Sequence, residues 1–182
     1  MTLIAAKWSI DDYHQMLDTG LLDDRPVELI SGEIIQMAAE GVGHSFYCKN
    51  TAKYLRVLFG DLVEIHEAHP ITLPNNSEPE PDIAIVKTPA DRYRTHHPYP
   101  DDIYWLIEIA NSTLAKDLGV KKELYAAAGI VEYWVMDLQK LELVVFRDLN
   151  NNVYQSETHL NSGTICSSAF PDLEVDIKRL FD

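Results

Sequence analysis

Eight residues, Ile103 to Ala110, read IYWLIEIA, and they constrain this chain more than any other segment. The run is apolar at nearly every position, not at alternate ones. A strand of that kind is buried on both faces, so it belongs in the middle of a sheet that is covered on both sides. One residue breaks the run: Glu108. A carboxylate buried without a partner is costly, so Glu108 either meets a partner from elsewhere in the chain or faces solvent.

The rest of the sequence supplies layers for such a sheet. SIDDYHQML, residues 9–17, reads as a helix with Ser9 at its N-cap, acids in the first turn and Ile10, Tyr13 and Leu17 on one face. VELISGEIIQM has two short apolar pieces around Ser31-Gly32, the signature of a tight hairpin. After the connection AAEGVG, the stretch from His44 to Phe59 repeats apolar residues at helical spacing. LVEIH, HPITL and PDIAIV read as strands. RYRTHHPYPDD, polar and rich in proline, reads as an exposed loop.

Beyond the central strand, residues 114–128 read as one helix ended by a left-handed cap at Gly129. EYWVMDL and LELVVFR alternate as a hairpin, with a short strand near Val153. The expected fold is one α/β domain over residues 1–182, with 1–25 a helical extension and 167–182 a tail packing on the body.

Composition excludes more than it selects. No apolar run approaches the roughly 20 residues a membrane helix needs, and no basic segment precedes the apolar patch at the start, as a signal peptide would require. With two widely separated cysteines, Cys48 and Cys166, the expectation is free thiols in a reducing cytoplasm. His96-His97 has no clear third metal ligand, and phosphate-cradling glycine motifs and HExxH are absent. The net charge of −14 weighs against tight binding of a polyanion, and no basic tract or basic helix stands out.

The polar set near the central strand carries the chemistry. Asp82, in EPDIAIV, and Glu108 lie near the polar edges of their runs. On neighbouring strands both reach one divalent ion, and magnesium suits such oxygen ligands; alternatively, Asp82 merely marks a strand start. At about 100° per residue, Asp117, Leu118, Lys121, Leu124, Tyr125 and Ala128 share one helix face. A lysine centred on a packing face must snorkel or meet an anion. Asp117, Glu108 or a bound phosphate could provide it. Tyr125 reads first as a core aromatic. His44 opens a helix, where it caps, packs or approaches a phosphate. Glu28 and Glu33 flank the first hairpin.

Together these residues resemble the Uma-type family of restriction-endonuclease-like proteins, assigned to the PD-(D/E)XK nuclease superfamily and abundant in cyanobacteria. The likeness covers residues 8–147. It is most specific over 108–137, where Glu108, Asp117, Lys121, Leu124-Tyr125, Gly129 and Glu132-Tyr133-Trp134 follow in order. The ELI-x-GE hairpin, His44 and Pro81-Asp82 agree with it. The superfamily lysine ordinarily sits two residues past the second acid. Ala110 holds that position here, so the resemblance implies a lysine moved to the next helix, Lys121. Asn111 stands where an acid or serine-proline is common.

The resemblance implies a mixed sheet flanked by helices and a magnesium- or manganese-dependent endonuclease cutting DNA, commonly as a homodimer. Asp82 and Glu108 would hold the metal and Lys121 would complete the catalytic set. His44, Asp117, Glu28 and Tyr125 would support it. Arg92 and Arg94, in the local basic loop, would contact substrate. Two alternatives stay open: a weak or inactive binding or regulatory relative, and a hydrolase of small phosphate esters or nucleotides.

Overall fold

The computed structural model describes residues 5–39 and 41–182. Residues 1–4, which include most of the N-terminal apolar patch, and Glu40, in the connection after the first hairpin, lie outside them.

Six strands form the main sheet in the order β3 (Glu64–Glu67), β4 (Ile83–Val86), β5 (Ile103–Ala110), β6 (Tyr133–Asp137), β7 (Glu142–Asn150) and β8 (Val153–Leu160). Every neighbouring pair is antiparallel except β5 and β6. That parallel pair needs a crossover, which the helical segment between residues 114 and 127 provides. IYWLIEIA is β5, an inner strand, with seven of its eight residues buried.

Alternation along the strands divides the core in two. Ile83, Ile85, Trp105, Ile107, Ile109, Trp134 and Val145 face α2 (Val42–Phe59), which buries Cys48, Ala52, Leu55 and Phe59 against them. The same layer holds Val175, Ile177 and Leu180. Ala84, Val86, Leu106, Ala110, Tyr133 and Val135 face the other way, toward Leu124 and Tyr125 of the crossover. Glu108 shares the parity of Leu106 and Ala110, so it points at the crossover helix.

The N-terminal part forms a separate small cluster. Helix α1 (Ile10–Asp18) begins with a capping box: the Ser9 hydroxyl accepts from the Asp12 N–H at 3.1 Å, and the Asp12 carboxylate accepts from the Ser9 N–H at 3.0 Å. Its Tyr13 packs with Leu22 of the following turn and with Val27 and Leu29 of the hairpin β1 (Val27–Ile30) and β2 (Glu33–Gln36). The turn between these strands has φ of 48° at Ser31 and 76° at Gly32, a geometry glycine adopts without strain.

Several expected elements differ. HPITL is not a ladder strand. Pro70 lies within it and Pro74 follows it, and the Ile71 and Leu73 N–H groups donate to Pro79 and Ser77 of the same connection while the Thr72 N–H donates to Pro98 of another loop. The loop at 91–102 is two 3-10 turns, not wholly exposed: Asp102 is buried and accepts from Arg92. The strand near Val153 extends over eight residues. The segment from Ser167 includes most of a second hairpin, β9 (Thr164–Ser167) with β10 (Phe170–Asp176). The helix at 114–128 is interrupted: α3 (Leu114–Lys116) and α4 (Lys122–Ala127) flank one wide π turn, Asp117–Lys121.

Candidate active site

The β4–β5 register places the two expected carboxylates across from each other. Ile83 pairs with Ile107, so Asp82, one step before, stands opposite Glu108, one step after. The Asp82 carboxylate is fixed twice. Its Oδ2 accepts from the Ile109 N–H at 2.6 Å and lies 3.0 Å from Nε2 of His44, in the first turn of α2. Asp82 therefore immediately precedes β4 and is also a side chain held in place.

Glu108 is 2% exposed, and its partner comes from the crossover. Lys121 Nζ donates to Glu108 Oε1 at 2.8 Å, and the Tyr125 hydroxyl donates to the same oxygen at 2.7 Å. Both donors converge on Oε1, which leaves Oε2 for the cleft that Glu108 lines. Tyr125 is thus a core aromatic whose hydroxyl serves the site. Lys121 also lies 4.0 Å from Oε2 of Glu28, a carboxylate buried in β1.

The π turn explains how Asp117 and Lys121 share this end of the sheet. One extra residue in the turn widens it, and such turns recur at functional sites. Asp117 and Lys121 are both buried. The Asp117 N–H donates to the Thr113 carbonyl at 3.1 Å, and the Tyr133 hydroxyl donates to the Asp117 carbonyl at 3.1 Å. The neighbouring Lys122 turns away and lies over the Phe146 ring, 5.0 Å from its centroid.

A cleft of about 440 Å³ opens over these groups. Glu28, Glu80, Asp82, Glu108 and Asp117 line it, against the ammonium groups of Lys116 and Lys121. Residues 37–39 with Gly41 form one rim and Asn111, Ser112 and Thr113 another. Lys116, which the sequence pattern did not single out, reaches the buried Glu28 Oε1 at 2.5 Å. Its position one residue before Asp117 gave no periodic signal. Glu33 pairs with Lys7 outside the cleft. Arg92 and Arg94 are not among the lining residues; each is held by a nearby acid, Asp102 at 2.5 Å and Asp91 at 3.0 Å.

The electrostatics follow from burial and crowding of like charge. Burial pushes the Glu108 carboxyl up, against the pull of Lys121, with Asp82 and Asp117 adding to the rise. Asp117 is raised by burial, opposed by Lys121 and the Thr113 hydroxyl. Glu80 is raised by burial and by Glu28. Burial pulls Lys121 down, but Glu108, Glu28 and Asp82 outweigh it and hold the ammonium charged. The cleft is short of positive charge.

Among the described residues, no group of three or more His, Cys, Asp or Glu side chains is disposed as a metal cage. A hard divalent cation does not require one. Magnesium takes one or two carboxylates and completes its shell with water and phosphate oxygens. An opposed Asp82–Glu108 pair in an acid-rich cleft fits that donor set.

A family model described as "Putative restriction endonuclease", Uma2, matches residues 10–178. This chain belongs to the Uma2 family. A solved structure from Anabaena variabilis, titled a "putative nuclease", aligns with a TM-score of 0.74 at 18% identity, over 95% of this chain and 97% of that one. At that identity the likeness shows the fold, a mixed sheet flanked by helices. No curated protein matches. Among the described residues of this Uma2 protein, no helix is long and apolar enough to cross a membrane.

Proposed function

We propose that this Uma2 protein is a metal-dependent endonuclease that hydrolyses DNA phosphodiesters in the cleft at the β4–β5 end of the sheet. One observation carries the proposal: Asp82 and Glu108 oppose each other on adjacent strands while Lys121 reaches Glu108 at 2.8 Å from the following helix.

Asp82 and Glu108 would hold magnesium or manganese, which when bound polarises a phosphoryl oxygen and lowers the pKa of water. The chain's own groups do the positioning. His44 and the Ile109 N–H fix the Asp82 carboxylate. Tyr125 and Lys121 fix Glu108 through one oxygen. The Lys121 ammonium, kept charged by its carboxylate neighbours, stabilises negative charge developing on the phosphate. Asp117 and Glu28 hold that lysine in a field of acids, and Lys116 gives the rim a second cation. Cleavage of both strands of a duplex would need two clefts, which a homodimer supplies.

The test is cleavage of mixed plasmid and single-stranded DNA across a magnesium and manganese titration, beside an Asp82→Ala, Glu108→Ala double variant. Metal-dependent cutting that the double variant lacks is the expected result. Saturable metal binding with hydrolysis of free nucleotides and none of DNA would move the assignment to a small phosphate ester. No metal binding would leave a noncatalytic relative.

A further inference from the structure

In a chain of net charge −14, α2 has no acidic residue in its 18 positions and carries Lys49, Lys53 and Arg56. The sequence did not show this as a basic helix because apolar residues dilute the charge. On the folded helix the pattern separates. Val42, Phe46, Lys49, Lys53 and Val57 fall within about 80° of one another around the axis. All five are exposed, Val42 by 92%, Phe46 by 53% and Val57 by 76%.

Among the described residues, neither Lys49 nor Lys53 has a carboxylate within ion-pair distance, unlike Arg56, which is tied to Glu67 at 2.5 Å. The 3-10 turn Lys178–Leu180 packs beside the helix and adds Arg179, whose guanidinium lies 4.3 Å from the Tyr54 ring centroid. Asp182 borders the same recess. The stripe begins at the cleft: Gly41 and His44 are in its lining, and Val42 lies between them in sequence. At 1.5 Å per residue, Lys49 and Lys53 stand about 7.5 and 13.5 Å beyond His44 along the axis.

We infer that the exposed face of α2 is the track for an unpaired DNA strand leaving the cleft, with phosphates over Lys49 and Lys53 and a base on Phe46. The inference rests on the nuclease proposal and specifies its substrate. Charge complementarity selects a polyanion, and the exposed aromatic selects one whose bases are free to stack. Overall charge points the same way. A duplex carries twice the phosphate density of one strand, so a protein of net −14 repels it more.

Binding of a fluorescein-labelled mixed-sequence oligonucleotide, single-stranded and as a duplex, is measured by anisotropy against sodium chloride, with calcium replacing magnesium. Wild-type protein should prefer the single strand. Lys49→Ala with Lys53→Ala should reduce the slope of log affinity on log salt by about 1.4, at roughly 0.7 per lost phosphate contact. Phe46→Ala should weaken single-strand binding by about tenfold. Lys7→Ala, outside the cleft and paired with Glu33, should leave both unchanged. These positions are exposed, and circular dichroism checks that each variant is folded.

Unchanged slopes in a protein that still cuts DNA would overturn the track and leave the nuclease proposal standing. So would equal competition by polyglutamate, which has no bases, or a shift in oligomeric state in place of DNA affinity. Failure of wild-type protein to cut any DNA with magnesium or manganese would instead remove the nuclease proposal, and the track with it.

Discussion

The Lys121 ammonium stands 2.8 Å from Glu108 Oε1, and both residues are more than nine-tenths buried. A lysine on a helix thus reaches the place beside a strand carboxylate that Ala110, two residues past Glu108 on the same strand, cannot fill. Because the pair is buried, removing one partner leaves the other in a poor medium for charge.

Lys121→Met should therefore affect activity and stability differently. Cleavage should fall by about 10²–10³, the usual loss when one group stabilising transition-state charge is removed. Stability should depend on pH. Glu108 has an ordinary value of 4.5 and is already raised by burial; without the lysine it rises further. Below 4.5 the carboxyl is neutral in both folded and unfolded chains. As pH climbs past that value, the unfolded chain releases its proton and the folded one does not, so stability is lost at up to about 1.4 kcal/mol per pH unit. In the wild type the Glu108 carboxyl is itself pushed up to about 8, so urea melts should show a near-constant deficit from pH 5 to 8 that widens above it; a deficit that stays flat up to pH 10 would contradict the buried-pair account.

Tyr125→Phe removes the second donor to Glu108 Oε1, at 2.7 Å, while keeping the ring that packs against Tyr133. Lys121 remains, so the carboxylate keeps its charge partner and loses its orientation. Groups that orient metal ligands typically contribute 10–100-fold in metal affinity or activity. The expected result is a magnesium half-saturation for cleavage raised by about tenfold or more, with a smaller change at saturating metal. An unchanged metal dependence would leave Tyr125 a packing residue.

How far the sequence reveals such a site depends on the kind of signal. Hydrophobic period reports burial, so β5, α2, the first hairpin and the packed face of 114–128 are legible from residues alone. Burial also implies that Glu108 has a partner, and the shared face of Lys121 and Tyr125 indicates where it comes from. Period does not report backbone pairing: HPITL has strand composition, yet its N–H groups go to its own connection, at Ser77 and Pro79, and to a second loop at Pro98. Nor does it detect one added residue in a helical turn, because DLGVK has an ordinary helical composition. Ion pairs are hidden as well. Arg92 and Arg94 read as a basic loop only until Asp102 and Asp91 are seen beside them.

The wide turn gives a sharp test. Val120 is 55% exposed, so deleting it removes little packing. The deletion restores the α repeat and turns either Asp117 or Lys121 away from the cleft by about 100°. Far-ultraviolet circular dichroism should retain its helical signal while magnesium-dependent cleavage is lost. Retained cleavage would show that the π turn does not set the position of the lysine.

Glu132 separates structure from chemistry within the most family-specific block. It is 1% exposed and accepts from Trp134 Nε1, an Arg147 guanidinium nitrogen and the Ser168 N–H, each at 2.6 Å. These bonds join β6, β7 and the segment entering β10, and Glu132 is not among the residues lining the cleft. Glu132→Ala leaves Arg147 without its carboxylate and should cost about 3–5 kcal/mol, read as a lower urea midpoint. Cleavage per folded molecule, measured well below that midpoint, should match wild type. A variant that is fully folded and inactive would instead tie Glu132 to the reaction.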